Sequence, residues 1–279
     1  MVKVTCVYRP QCPWAAEWLN IVRESHAGSK VEEINAWEKP NEAATLINKG
    51  CRKETQKLSA YLFGVFLDGK YEKAGSELTP ADEKARARDR LESMQRHIYV
   101  ESEITIAPLT SLTIEDEIDL CLLTHPSAVT VSKQGVKQGK EMKMNWFKEV
   151  LSNIDPCGVV AYRRKQPIGL LEYLPSPSAR KLGFTPTDDP KVATVTCMEV
   201  ALGEERQGVH KILVSSMLGN LIRDSQGFSE IEVLAREGDV TLDYPNSFPI
   251  MHPVSLYREM GFRKVKTWRN HVLMHYQLA

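Results

Sequence analysis

Two short strings of this sequence place reactive or ligand-binding groups beside turns that would expose them. Residues 252–262 predict a short helix that carries Tyr257 near its end and stops at Gly261. Residues 204–210 join an apolar strand pattern to an amphipathic helix through Gly208. The start of a helix offers unpaired N–H groups and a positive dipole, and glycine lets the backbone come close to a ligand. This second string is therefore suited to binding a diphosphate.

A third string contains a cysteine at the start of a predicted helix. Residues 4–15 run from a β-prone segment into Cys12 and Pro13. The dipole of the following helix is expected to lower the pKa of Cys12 and to raise its thiolate fraction. The six cysteines are scattered over 279 residues, so they predict no disulfide framework.

Composition excludes several classes of protein. Lys+Arg and Asp+Glu number 36 each, so the net charge is zero and gives no long-range field for nucleic acid. No apolar run is long enough to span a membrane, and the strand-like start has no signal-peptide pattern. We therefore expect a cytoplasmic protein with neither a nucleic acid nor a membrane as its partner.

The elements that must position these side chains can be predicted from periodicity and turn signals. The first part of the chain predicts the order β-α-β-α-β-β-α. Strand segments 61–67 and 70–74 flank Asp68 and Gly69, the strongest short hairpin signal in the sequence. A charged helix over residues 80–97 follows, before a short linker.

The rest of the chain predicts the order β-α-α-β-β-β-α-β-α-β-β. Polar, glycine-containing residues 126–140 indicate a loop, and residues 141–154 indicate a helix. Four prolines in residues 175–190 indicate an irregular excursion. Residues 192–202 are the most β-prone run of this half, and Glu199 is the only carboxylate in it.

With these strings, residues 104–279 resemble the GCN5-related N-acetyltransferase family, in which a glycine turn and a helix with an exposed tyrosine follow the central strands. The family's pyrophosphate loop reads Arg/Gln-x-x-Gly-x-Gly/Ala, and here Glu205, Gly208 and His210 stand at those three positions. Its last helix often reads Asn-Ala-x-x-Leu-Tyr-x-x-x-Gly-Phe. This chain matches it with Leu256, Tyr257, Gly261 and Phe262, and departs from it with His252 and Pro253.

The resemblance implies roles for individual residues. Tyr257 would protonate the leaving thiolate, and the backbone N–H near Val200 would polarise the thioester carbonyl. Glu199 is the first candidate for the general base, with Glu172 and His252 as alternatives. Arg206 or Lys211 would supply the positive charge that Glu205 does not. The residues expected to bind acetyl-CoA are Met198, Val200, Arg206, Gln207, Gly208, Val209, His210, Lys211 and His252.

The first part of the chain resembles a thioredoxin or glutaredoxin domain, in which a strand runs into Cys-Pro-x-Cys at a helix start. Cys12 stands at the nucleophile position, and Ala15 stands where the second cysteine would be. The family's cis-proline is absent, with Phe63 nearest to its position. The resemblance therefore implies at most monothiol chemistry, or a module that serves packing or partner binding.

Together these features predict a mixed α/β protein with a thioredoxin-like domain over residues 1–100 and an N-acetyltransferase domain over residues 101–279. The predicted reaction is direct transfer of an acetyl group from acetyl-CoA to a primary amine of a small molecule or protein, without a metal. A non-catalytic sensor of coenzyme A or of a thiol, and a monothiol redox protein that uses Cys12, are the alternatives. The acceptor and the oligomeric state stay open, a homodimer being one outcome.

Overall fold

A computed structural model describes residues 2–78, 104–124, 132–201, 204, 207–237, 252–268 and 271–278. The described chain forms two β-sheets with helices packed on them, which confirms the predicted mixed α/β class. We call residues 2–78 the first unit and residues 104–278 the second unit. None of the described helices is long and apolar enough to cross a membrane.

The first unit is built on a four-stranded sheet. Its elements are β1 Val4–Tyr8, α1 Trp14–Ser25, β2 Val31–Asn35, α2 Pro40–Gly50, α3 Glu54–Phe63, β3 Gly64–Leu67 and β4 Lys70–Ala74. The strand order is β2-β1-β3-β4, with β1 parallel to β2 and antiparallel to β3. Asp68 and Gly69, between β3 and β4, have φ values of 48° and 79°. Two successive positive φ values are typical of the tight hairpin turn that the sequence predicts, so this hairpin is confirmed.

Helix α3 corrects part of the predicted strand 61–67. The chain is helical to Phe63 and extended only from Gly64. Tyr61 and Phe63 are aromatic residues with a preference for strands, but both are buried where α3 packs on β1 and β4. Tertiary burial therefore outweighs local propensity at this position. The charged helix predicted over residues 80–97 lies outside the described residues.

The second unit is built on a seven-stranded sheet. Its strands are β5 Ile104–Pro108, β6 Gly158–Arg163, β7 Gln166–Pro175, β8 Val192–Val200, β9 Glu230–Ala235, β10 Arg263–Trp268 and β11 His271–Gln277. Its helices are α4 Ile114–Thr124, α5 Lys133–Leu151, α6 Ser176–Lys181, α7 Val209–Arg223 and α8 Val254–Glu259. The strand order is β10-β11-β9-β8-β7-β6-β5, and only the pair β8 and β9 is parallel. The predicted order of elements is confirmed, with α6 as an addition.

Two segments that were predicted to be irregular are partly helical. Helix α5 begins at Lys133 rather than at 141, and Ser132 caps it by accepting a hydrogen bond from the Gly135 N–H at 2.9 Å. A Cβ added at Gly139 would lie 2.2 Å from the carbonyl oxygen of Pro13. The glycines that make this stretch resemble a loop therefore allow α1 to pack closely against α5. In the same way, α6 occupies part of the proline-containing stretch 175–190.

The two units share one apolar core. Trp14 and Trp18 of α1 belong to the same buried cluster as Trp146 and Phe147 of α5. Across this interface the Asn20 side-chain amide donates to the side chain of Gln138 at 2.8 Å. The predicted boundary near residue 100 lies in the part of the chain that is not described, so the division into two domains stays a prediction.

Candidate functional site

The middle of the large sheet opens where its one parallel pair of strands separates. Strands β8 and β9 are paired only from Val192 to Val195 on the β8 side. Strand β8 continues to Val200 against β7, whereas β9 continues to Ala235 against β11. A gap therefore opens between the two strands beyond Val195, and it is lined on one side by the backbone of residues 196–200.

The backbone of β8 directs polar groups into this gap. The Ala201 N–H donates to the Ile168 carbonyl oxygen at 2.8 Å, on the β7 side. Because successive residues of a strand direct their backbone groups to opposite sides, Val200 and Met198 direct theirs towards the gap. A ligand chain that lay in the gap could take the place of a strand and pair with these groups.

His252 reaches across the gap from the β9 side. Its carbonyl oxygen accepts a hydrogen bond from the Arg236 N–H at 3.1 Å, just beyond the end of β9. Its ring Nε2 lies 2.9 Å from the Met198 carbonyl oxygen, which can only accept, so Nε2 carries the proton. Burial lowers the pKa of His252 to about 4 and keeps the ring neutral, although the bond to Met198 acts in the opposite direction. A ring with so low a pKa is a weak base, so His252 is poorly suited to act as the general base.

Helix α7 begins after a glycine turn, as the sequence predicts, and its start lies beside the gap because the His210 ring contacts the His252 ring. Gly208 precedes the helix with a φ of 75°, a left-handed conformation that favours glycine. A Cβ added there would meet no described atom within 4 Å, so no described residue occupies the space beside its Cα. Val209 is fully buried, and its side chain would be 2.8 Å from a Cβ added at Gly169 of β7. Close packing of Val209 on the sheet therefore fixes the position of the helix start.

The side chains around this helix start include neutral and aromatic groups as well as a cation. The His210 ring lies against the His252 ring, with 4.4 Å between their centroids. Gln207 is exposed, whereas the exposed Lys211 is 2.5 Å from the Glu259 carboxylate of α8. Arg206, predicted to supply positive charge, lies outside the described residues. Among the described residues, Lys211 at the helix start and Arg163 of β6, which pairs with Glu204 at 3.0 Å, are both already bound to carboxylates.

Tyr257 is buried, which corrects the expectation of an exposed tyrosine. Its relative exposure is 0%, and its ring packs edge-on against Phe262 at 5.5 Å. The hydroxyl has no hydrogen-bond partner among the described residues. Burial, together with the nearby Cys197, raises the pKa of Tyr257, so the phenol keeps its proton at neutral pH. A buried hydroxyl without a hydrogen-bond partner destabilises the folded protein unless a bound ligand supplies that partner.

Glu199 is the candidate base that remains available for proton transfer. It is half-buried on β8 and forms no hydrogen bond or ion pair with any residue that the structure describes. Burial raises the pKa of Glu199 to about 8; the Lys143 ammonium acts against this rise, and the Glu172 carboxylate adds to it. The alternative Glu172 is fully engaged, because one oxygen accepts from Gln11 and the other from Lys143. A pKa near neutrality suits a general base.

A buried ion cluster lies on the same face of the sheet as Glu199. The Lys143 Nζ of α5 is 2.5 Å from Glu117 Oε1 of α4 and 3.0 Å from Glu172 Oε1 of β7. All three side chains are at most 1% exposed. Burial raises the pKa of Glu117 and the nearby Glu172 carboxylate adds to the rise, whereas the Lys143 ammonium acts against it. The second oxygen of Glu117 has no partner in the described chain.

Sequence reasoning missed this cluster, although one signal for it was present. Lys143 falls on the buried side of α5, in line with Gly139 and Phe147 four residues away on either side. A lysine in the apolar stripe of an amphipathic helix indicates a buried charge that must be paired. The pattern does not reveal the partners, Glu117 and Glu172, which come from a different helix and a strand.

Two cysteines, Cys12 and Cys197, have raised pKa values, so their thiols carry little thiolate at neutral pH. Cys12 is half-buried beside α1, and burial raises its pKa to about 11, although backbone N–H groups of the helix start act in the opposite direction. The expected low pKa is therefore wrong, because loss of water outweighs the helix dipole once α1 packs against the second unit. Cys197 of β8 is a buried free thiol whose pKa is also raised by burial. A buried thiol with a raised pKa is poorly suited to forming a covalent acyl-enzyme, because the thiolate is the nucleophile.

Comparison with known proteins gives likeness of structure without likeness of sequence. No protein-family model and no curated protein matches this sequence. An N-acetyltransferase, PaiA, from Thermoplasma acidophilum in complex with coenzyme A aligns at 18% identity and a TM-score of 0.39, covering 63% of this chain and 99% of its own. An N-acetyltransferase from Staphylococcus aureus aligns at 11% identity and a TM-score of 0.42, covering 64% of this chain and 100% of its own.

A third solved structure gives similar values. An acetyltransferase of the GNAT family from Streptococcus pneumoniae aligns at 10% identity and a TM-score of 0.41, covering 63% of this chain and 100% of its own. Likenesses of this size establish neither a family nor an activity for this chain. Any functional conclusion therefore has to come from the geometry of the site.

Proposed function

We propose that the chain is an acetyl-CoA-dependent N-acetyltransferase that acts by direct transfer to a primary amine. The observation that carries this proposal is the buried Tyr257 hydroxyl, which has no partner in the described chain. It lies near the thiol of Cys197 on β8, beside the gap between β8 and β9. A neutral phenol at that place is suited to donating a proton to a leaving thiolate.

The gap and the helix start fit the two ends of a coenzyme A molecule. Met198 and Val200 direct backbone groups into the gap, where an amide-containing arm could pair with them as a strand would. No described residue occupies the space beside the Cα of Gly208, before α7, where helix N–H groups suit a diphosphate. Gln207, Val209, His210 and Lys211 would complete that end. His252 has to release the Met198 carbonyl oxygen if the arm is to use it.

Two side chains then supply the proton transfers. Glu199, ionised above its pKa of about 8, accepts the proton of the attacking amine. The new C–N bond forms at the thioester carbonyl as the C–S bond breaks, and Tyr257 donates its proton to the sulfur. Before the next turnover Glu199 releases its proton to solvent and the phenolate recovers one from it. The Val200 N–H is the candidate donor to the carbonyl oxygen as negative charge develops on it.

Calorimetric titration of acetyl-CoA, compared with desulfo-coenzyme A, tests the binding step. Micromolar binding of both ligands is expected, because the diphosphate and amide contacts do not involve the sulfur. Release of free thiol from acetyl-CoA in the presence of a panel of primary amines then tests transfer. Absence of binding up to millimolar acetyl-CoA would overturn the proposal.

The first unit is proposed to be a thioredoxin-like module without redox chemistry of its own. The sheet order β2-β1-β3-β4 and the placement of Cys12 before α1 support this assignment. The raised pKa of Cys12 argues against the monothiol alternative, because the thiolate is the nucleophile. Incubation with glutathione disulfide should leave Cys12 unmodified at pH 7, as mass spectrometry of the intact protein would show.

A further inference from the structure

The buried ion cluster of the second unit is completed by a residue from the first. Gln11 lies in the turn between β1 and α1 and is 6% exposed. Its Nε2 donates to Glu172 Oε2 at 2.5 Å, although the two residues are 161 positions apart in the chain. Lys143 holds the other oxygen of the same carboxylate at 3.0 Å. Both oxygens of Glu172 therefore have a donor, and the two donors come from different units.

Glu172 in turn is a neighbour of Glu199 on the sheet. Strand pairing places Glu172 of β7 opposite Cys197 of β8. Because alternate residues of a strand share a face, Cys197 and Glu199 direct their side chains to the same side, and Glu172 is the diagonal neighbour of Glu199. Diagonal neighbours on adjacent strands are about 7–8 Å apart, a distance at which charges interact strongly in a buried environment.

We propose that Gln11 is a positioning residue of the transferase site: its amide holds Glu172, and through Glu172 the first unit sets the electrostatic environment of Glu199. This inference rests on the role proposed for Glu199 above. The charged groups that change the pKa of Glu199 are Lys143 from α5 and Glu172 from β7. The Glu199 carboxylate in turn raises the pKa of Cys121 from α4 and of Cys197 from β8 itself. Gln11 acts on this set from outside the sheet.

Replacement of Gln11 by methionine keeps the volume but removes the donor. Glu172 then keeps Lys143 as its one donor among the described residues, so its carboxylate can turn towards Lys143 and away from Glu199. The like charge that raises the pKa of Glu199 then acts from farther away, so this pKa should fall from about 8 towards 4.5, by about one unit. Titration of the full chain with side-chain ¹³C-labelled glutamate, read by NMR and assigned with Glu199→Gln, measures this shift directly.

A matched control is available in the same interface. Asn20 also donates a side-chain hydrogen bond across it, to Gln138 at 2.8 Å, but it does not contact the cluster. Asn20→Ala should therefore leave the pKa of Glu199 unchanged, although it too weakens the packing of α1 on α5. Should Gln11→Met fail to fold, Gln11→Asn provides the same test with a shortened amide. An unchanged Glu199 titration in a folded Gln11 variant would overturn the inference.

The NMR measurement separates this inference from the proposed function, because it needs no turnover. In an active protein, Gln11→Met should also move the midpoint of the pH–rate profile downwards by about one unit, with an unchanged KM for acetyl-CoA. An inactive wild-type protein would contradict the proposed reaction, whereas the titration would still decide whether Gln11 acts on Glu199. If Gln11→Met lost activity while both the NMR titration of Glu199 and the midpoint of the pH–rate profile stayed unchanged, Gln11 would have a structural role only.

Discussion

Replacing Tyr257 by phenylalanine should raise the stability of the protein and lower its transfer activity. The hydroxyl is buried and has no partner among the described residues, so its removal relieves a desolvation penalty. An unsatisfied buried polar group costs about 1–3 kcal/mol, and we expect Tyr257→Phe to raise the free energy of unfolding by about 1 kcal/mol. For a chain of this size that corresponds to a rise in Tm of roughly 2 °C.

The same substitution should strongly reduce transfer. Loss of a positioned general acid typically lowers the rate by about 10²–10⁴, and a factor of 10² corresponds to about 2.7 kcal/mol of transition-state stabilisation. The affinity for acetyl-CoA should change little, because the hydroxyl acts on the departing sulfur. Urea denaturation measures the first effect, and kcat with a fixed amine measures the second.

Tyr173 provides the control for both effects. It is also buried, at 1% exposure, but its hydroxyl donates to the Pro156 carbonyl oxygen at 2.9 Å and lies 3.1 Å from the Gln226 side chain. Tyr173→Phe should therefore lose about 1 kcal/mol of stability and leave kcat unchanged. If Tyr257→Phe were destabilised to the same extent, its hydroxyl would have a partner in the folded protein. If its kcat matched that of the wild type, Tyr257 would not be the acid.

Four further predictions follow from Glu199 and from two glycines. Because burial raises the pKa of Glu199 to about 8, kcat should rise with pH up to about 8 and then level off, and Glu199→Gln should flatten the profile. Because the pKa of Glu199 is raised, the folded state binds more protons than the unfolded state between pH 4.5 and about 8. As the pH rises through this range, the free energy of unfolding of the wild type, measured with urea, should therefore fall relative to that of Glu199→Gln. Gly208→Ala should weaken acetyl-CoA binding in calorimetry, since a φ of 75° costs alanine roughly 1–2 kcal/mol and favours rearrangement of the helix start; unchanged affinity would contradict this. Gly139→Ala should lower Tm by several degrees, because its Cβ would be 2.2 Å from the Pro13 carbonyl oxygen, whereas Gly219→Ala, which meets no described atom within 4 Å, should not.

Much of the architecture was predictable because its signals are local. Asp68 and Gly69 specify a tight hairpin through their own backbone preferences, and Gly208 marks the start of α7 in the same way. The β-branched run that forms β8, with Glu199 as its one carboxylate, could likewise be recognised without any knowledge of its neighbours. These features depend on residues within a few positions of one another, so the sequence alone determines them.

Where local preference and packing disagree, only the tertiary structure decides. Gly135 and Gly139 lower the helix propensity of their segment, and the resulting pattern resembles a loop. The same two glycines allow α1 to lie close against α5, and burial of that interface stabilises the helix. In α3, Tyr61 shows the same competition, as a β-prone residue that is buried as part of a helix.

The chemistry of the site depends still more on contacts between distant residues. Lys143 meets Glu117 and Glu172 at sequence separations of 26 and 29, and Gln11 meets Glu172 at 161. The pKa values of Glu199, His252 and Cys12 are set chiefly by burial. The sequence determined which residues could react and which local elements carry them. Only the tertiary structure decided which of them lose water and which charges they face, because desolvation and pairing arise when separate elements pack together.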